Sequence, residues 1–187
     1  MTARAIVVLG PAGSGKSTIA RRIATLRGAA YLDKDTLVGE FVGTMMAEAR
    51  RRADDRESDD FYLTRILPLE YRALWRTALD NVANDVDVVI DAPFLAYVDD
   101  ADYIERTLAE VGGDIRVDVV IVSTPPDLVR DRLLERASPR DEWKLAHWDE
   151  FWATHGDVGC NWRGARIVTI SNAEMPSDAA LRSLVER

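Results

Sequence analysis

Nine consecutive residues, Gly10-Pro11-Ala12-Gly13-Ser14-Gly15-Lys16-Ser17-Thr18, carry the clearest chemistry in the chain. They satisfy the spacing G-x-x-x-x-G-K-[ST] at every fixed position. A loop that holds phosphate oxygens must bring several backbone N–H groups close to one anion. Glycines at 10, 13 and 15 remove the side chains that would block that approach and reach φ > 0 without strain. In such a loop Lys16 is the cation for the β- and γ-phosphates, and the Ser17 hydroxyl is a ligand for Mg²⁺. The spacing therefore predicts a nucleoside triphosphate site.

Three further groups of charged residues could act beside it. The first is Tyr31-Leu32-Asp33-Lys34-Asp35-Thr36. A carboxylate next to an acceptor hydroxyl can orient it and take its proton, although an Asp in this position can equally cap a helix. The second is Val88-Val89-Ile90-Asp91-Ala92-Pro93-Phe94, an apolar run ending in a carboxylate that could reach Mg²⁺ directly or through water. The third spans residues 130–141 and holds Arg132, Arg136 and Arg140. Arg132 and Arg136 lie one helical turn apart and share a face. Pro139 disfavours helix at Ser138, which puts Arg140 on a loop. Arginine forks suit the spread charge of a transferring phosphoryl group, while the same charge run could form a solvated helix face.

The elements that must position these groups follow from hydrophobic pattern. Apolar runs at 5–9, 29–32, 86–90, 117–122 and 167–170 are mostly continuous, as in strands buried on both faces. Helical patterns lie between them: one after Gly15, one from Thr36 towards Arg51, and a long one marked by Leu67, Tyr71, Leu74, Trp75, Ala78 and Val82. Others cover 101–111, 127–136, 142–154 and 177–186. Pro68 falls near the start of the long helix or at a kink, and the charged stretch 51–60 reads as a solvated loop or frayed helix end. Strands alternating with helices predict a parallel sheet covered on both faces. With no repeat, low-complexity tract or linker, residues 1–187 are expected to form a single α/β domain with three layers.

The whole composition narrows the partners. At 187 residues with 47% hydrophobic and 30% charged, the chain has the make-up of an ordinary soluble globular protein. A net charge of −8 weighs against a nucleic-acid grip, which needs a basic face. The single cysteine, Cys160, excludes an internal disulfide. No apolar run approaches a membrane span, and no signal-peptide pattern opens the sequence. A cytoplasmic protein without membrane partners, a monomer or homodimer, is the expectation.

On the phosphate loop, the Asp-x-Asp patch, the strand ending in Asp91 and the arginine segment, the chain resembles the P-loop small-molecule kinases, such as shikimate, gluconate and chloramphenicol kinases, and more distantly adenylate kinase. The resemblance implies a P-loop NTPase fold with a five-stranded parallel sheet, a short lid over about 138–145, and ATP with Mg²⁺. It implies that Gly10 to Thr18 bind the nucleotide, with Thr18 on the α-phosphate, Arg132 stacked over adenine and Pro176 in the adenine loop. It places Ser17, Asp33 and Asp91 on the metal and makes Lys16, Asp35, Arg136 and Arg140 catalytic, with Asp35 meeting a small-molecule hydroxyl. The Asp-Gly that adenylate kinase-like enzymes carry after the third strand is replaced here by Asp91-Ala92, leaving Asp91 near either metal or acceptor. A nucleotide or polynucleotide kinase, or a regulatory ATP-binding protein, are the alternatives. No nucleotide-clamping Asp-Gly-x-Pro-Arg and no guanine-specifying Asn-Lys-x-Asp is present. Of the four tryptophans at 143–162, packing onto the domain is the expected role, with Trp143 or Trp148 at an acceptor pocket as the sharper alternative.

Overall fold

Strands that read as unbroken apolar runs must bury both faces, and the three central strands here do. The computed structural model describes residues 3–51, 59–138 and 141–185. Five strands, β1 (Arg4–Leu9), β2 (Ala30–Asp33), β3 (Val88–Asp91), β4 (Arg116–Ser123) and β5 (Arg166–Ser171), form one sheet. Its order is β2-β3-β1-β4-β5, and every neighbouring pair is parallel. The helices are α1 (Lys16–Arg27), α2 (Lys34–Glu48), α3 (Leu67–Val82), α4 (Tyr103–Val111), α5 (Pro126–Arg136), α6 (Glu142–Ala146), α7 (Trp148–His155) and α8 (Asp178–Val185).

Alternate side chains of each central strand go to opposite layers. Ala5, Val7, Leu9, Val88, Ile90, Val117 and Val119 pack with Leu74, Trp75 and Ala78 of α3 and Ile104 of α4. Ile6, Val8, Val89, Val120 and Val122 meet Ile19 and Ile23 of α1 and Leu181 and Val185 of α8. The result is the expected three-layer α/β architecture. The two edge strands bury less, and all four β2 residues are only half-buried.

Several boundaries differ from expectation, and the differences matter at the site. The second and third strands run to Asp33 and Asp91, because these two residues pair across the ladder. The second helix begins at Lys34, two residues before Thr36, since the Asp33 side chain accepts a hydrogen bond of 2.7 Å from the Thr36 N–H and caps it. The helix expected over 142–154 is two helices, α6 and α7, broken at His147 (φ −122°, ψ 48°). The break lets Trp148, Phe151 and Trp152 lie on Val129 and Leu133 of α5. Residues 139 and 140, within the expected lid and including Arg140, lie outside the described residues, as do 52–58 of the charged stretch. A π-helical turn (Tyr62–Ile66) leads into α3, whose first turn holds Pro68. Among the described residues no helix is long and apolar enough to cross a membrane.

Candidate functional site

An all-parallel sheet delivers the carboxyl ends of its strands to one edge, where ligands of open α/β sheets bind. Register makes this concrete: Asp91 sits beside Val8 on one side and Asp33 on the other. Leu9 leads directly into the glycine loop. Gly13 and Gly15 hold φ of 82° and 84°, a region that side chains other than glycine's enter only with strain. Space forbids a side chain as well. A Cβ at Gly13 would lie 3.0 Å from the Val129 carbonyl, and one at Gly15 would lie 2.4 Å from Asn172 Nδ2. The loop ends at the N-terminus of α1, whose unpaired N–H groups and dipole favour an anion.

The loop is tied to its surroundings through one atom. The Ser14 carbonyl accepts from Asn172 Nδ2 at 2.7 Å, Thr124 Oγ1 at 2.9 Å and Arg132 Nη1 at 3.1 Å. Arg132 Nη2 also donates to the Asn172 carbonyl at 3.2 Å, and the Asn172 N–H donates to the Ser123 carbonyl at 2.8 Å. Of these three donors only Arg132 was marked by residue pattern, and it was expected at adenine. Thr124 and Asn172 follow strand ends and are buried. Nothing but a polar side chain just past an apolar strand could have flagged them.

Beside the loop, Asp91 is buried on two partners. Its Oδ2 accepts from the Tyr31 hydroxyl at 2.7 Å, and its Oδ1 lies 3.5 Å from Lys16 Nζ. The Tyr31 hydroxyl is also 3.3 Å from Asp33 Oδ2. Burial, then the hydrogen bond to Asp91, raise the Tyr31 pKa well above the ordinary value, so this hydroxyl stays a donor. Four buried side-chain atoms among the described residues have no hydrogen-bond partner: Ser14 Oγ, Asp91 Oδ1, Asn172 Oδ1 and Glu70 Oε1. Buried polar atoms are normally satisfied, and three of these four flank the glycine loop. An orphaned carboxylate oxygen beside a lysine, next to a cradle that a Cβ would fill, fits a metal–triphosphate held by Lys16, Ser17 and Asp91.

The Asp-x-Asp patch divides its labour. Asp33 caps α2, while Asp35 in its first turn stays half exposed and lies 3.2 Å from Lys34 Nζ. Lys34 is buried, and its ammonium also pairs with Glu70 Oε2 of α3 at 3.1 Å, an oxygen that takes the Tyr62 hydroxyl at 2.8 Å. Neither Lys34 nor Glu70 stands out as a site residue in the sequence. The available signal was Glu70 itself, a carboxylate at the i+3 position of the apolar face Leu67, Tyr71, Leu74.

The remaining candidates are placed as follows. Arg136 binds the buried Asp141 carboxylate through two hydrogen bonds of 2.7 Å each. Pro176 follows β5, with its carbonyl accepting from Arg22 Nη1 at 2.8 Å. The tryptophans part company. Trp162 is in the main core against Phe94, Trp148 and Trp152 stack behind α5, and Trp143 is 51% exposed on the ring of His147.

The sheet order, the glycine loop and the strand-end carboxylates together define a P-loop, kinase-like α/β fold. Residues 6–156 match the model of the AAA domain family, and the chain belongs to that family. Three solved structures share the fold over nearly the whole chain. A kinase candidate of Chloroflexus aurantiacus J-10-fl aligns with TM-score 0.68 at 20% identity, covering 99% of this chain and 94% of that one. A sugar kinase of Janibacter sp. HTCC2649 aligns at 0.61 with 20% identity, covering 99% and 91%. The tunicamycin resistance protein of Deinococcus radiodurans aligns at 0.60 with 12% identity, covering 98% and 94%. No curated protein matches.

Proposed function

We propose that the protein is a phosphotransferase that moves the γ-phosphoryl group of ATP, with Mg²⁺, to a hydroxyl of a small-molecule acceptor. The observation that carries this is the meeting of Lys16 with an orphaned, buried Asp91 oxygen beside a loop that has no room for side chains. Bound ATP and Mg²⁺ would supply the transferable phosphoryl group and neutralise its charge. The loop N–H groups and Lys16 bind and orient the phosphates, and Ser17 and Asp91 hold the metal. Asp33, fixed by its cap and by Tyr31, stands on the metal side. Asp35, half exposed beside Lys34, orients the acceptor hydroxyl and accepts its proton. Arg136 joins only by exchanging Asp141 for a phosphate oxygen. Catalysis by such a site is positioning and charge stabilisation, without a covalent enzyme intermediate.

The test is a phosphoryl-transfer screen with ATP and Mg²⁺ against neutral sugars, carboxylic acids, nucleosides and antibiotics, read by mass spectrometry. A phosphorylated product from one class, lost in Lys16→Ala, supports the proposal. Asp35→Asn should lower turnover by about 10²- to 10⁴-fold with little change in ATP affinity. Transfer only to nucleotides would favour the nucleotide-kinase alternative. Nucleotide binding with no transfer to any class would overturn enzymatic function.

A further inference from the structure

The three donors on the Ser14 carbonyl are more than that oxygen needs. A carbonyl has two lone pairs, and here a threonine, an arginine and an asparagine converge on it from three different segments. Thr124 follows β4, Arg132 is on α5 and Asn172 follows β5. Two are pinned in turn: Asn172 is 1% exposed and bonded to β4 through its own N–H, and Arg132 bridges to the Asn172 carbonyl. The Ser14 oxygen belongs to the same planar unit as the Gly15 N–H, and no peptide bond in the described residues is cis. In a trans peptide the C=O and N–H point in opposite directions. Fixing the oxygen towards these three side chains therefore fixes the Gly15 N–H away from them. Gly15 has no side chain to resist the rotation, and it stands at a φ of 84°.

We propose that Thr124, Arg132 and Asn172 are positioning residues of the phosphate site. By holding the Ser14 carbonyl they aim the Gly15 N–H at the phosphates before ligand arrives. Arg132 then serves the phosphate loop through its hydrogen bonds, in place of or besides the adenine base. The inference rests on the loop being a nucleotide site, but not on what the acceptor is. Preorganised donors gain because no reorientation remains to be done at binding. Losing one of three donors leaves the oxygen still held by two, so single removals should be mild and a double removal severe.

The experiment measures binding of two probes by calorimetry in Mg²⁺ buffer: ATP, and inorganic tripolyphosphate, which has no base. Thr124→Val removes one donor with little change in shape, Thr124→Ser keeps it, and Thr124→Val with Asn172→Ala removes two. A net hydrogen bond of about 1 kcal/mol corresponds to roughly fivefold in affinity. We expect Thr124→Ser to bind both probes as the natural chain does. Thr124→Val should lose no more than about fivefold, and the double variant should lose well over tenfold, equally for ATP and tripolyphosphate. Measurements are made well below each variant's melting temperature, and Thr124→Val with Arg132→Lys stands in if the first double variant does not fold. Folded double variants that bind tripolyphosphate as tightly as the natural chain overturn the inference. So does a loss confined to ATP, which would place these side chains at the base. A natural chain that binds neither probe removes the nucleotide reading itself, and the inference with it.

Discussion

Lys16 at first sight is an exposed loop residue whose removal should leave the fold untouched. The structure gives it a second task. Its side chain is 22% exposed and lies 3.5 Å from an Asp91 carboxylate that is 2% exposed. Lys16→Ala takes away that countercharge and leaves Asp91 Oδ1 buried with neither ion pair nor hydrogen bond. A buried charged group so abandoned costs more than the about 1–3 kcal/mol of a neutral polar one. We expect Lys16→Ala to lose phosphoryl transfer and also to unfold at lower denaturant. Lys16→Ala combined with Asp91→Asn should recover part of that stability without recovering activity. Urea denaturation of the two variants checks this, and an unchanged midpoint for Lys16→Ala would show that Asp91 is satisfied in another way.

At the scale of elements, α2 and α3 are locked by a buried ion pair. Lys34 and Glu70 are 5% and 2% exposed at the side chain, and the Tyr62 hydroxyl completes the contact. Breaking such a pair from one side strands a charge, at a cost of about 3–5 kcal/mol, whereas replacing both partners by apolar groups is often neutral. Lys34→Met, which strands Glu70, should destabilise strongly, Glu70→Leu less so because Lys34 keeps Asp35 at 3.2 Å, and the double variant should recover most of the loss. Chemical denaturation of this double-mutant cycle measures it. The same lysine touches Asp35, so turnover should fall even in the double variant that is stable. The Asp91 segment has an anchor of its own kind. Phe94 adopts φ of 52°, which costs a non-glycine residue of order 1–3 kcal/mol. Full burial of its ring among Tyr71, Trp75, Tyr103 and Trp162 offsets that strain. The Phe94 N–H also donates to the Tyr71 hydroxyl at 3.0 Å, so the loop after β3 is held from the core.

Over the whole molecule, the tyrosines set an alkaline limit. Tyr31, Tyr71 and Tyr103 all have pKa values raised above the ordinary 10.0, with burial the largest cause in each. Ionisation is thus easier in the unfolded chain. The stability these groups contribute is fully present below pH 10 and is lost as pH rises from there towards the folded values. Each such tyrosine steepens the decline by up to about 1.4 kcal/mol per pH unit. The midpoint of urea unfolding should hold from pH 8 to about 9.5 and fall increasingly steeply above it. Tyr31→Phe, which leaves Asp91 without its hydroxyl donor, should start less stable but decline less steeply. A midpoint that is flat to pH 11 would mean that these hydroxyls ionise as readily folded as unfolded.

What the amino-acid order determined by itself was local. The phosphate loop is one contiguous run whose glycines answer to backbone geometry, and the central strands announce themselves because burial on both faces requires unbroken apolar residues. Asp33 and Asp91 stand out because each follows an apolar run, and Asp35 by its Asp-x-Asp spacing from Asp33. What only tertiary structure decided was which distant side chains meet. Whether an Asp caps a helix or faces a ligand depends on where the next helix starts, and Asp33 caps while Asp35 does not. Lys34 with Glu70, Arg136 with Asp141, and the three donors on the Ser14 carbonyl join positions from 5 to 158 residues apart. Polar side chains like these leave no periodic trace, because their partners are chosen by sheet order and helix packing and not by neighbours in the chain.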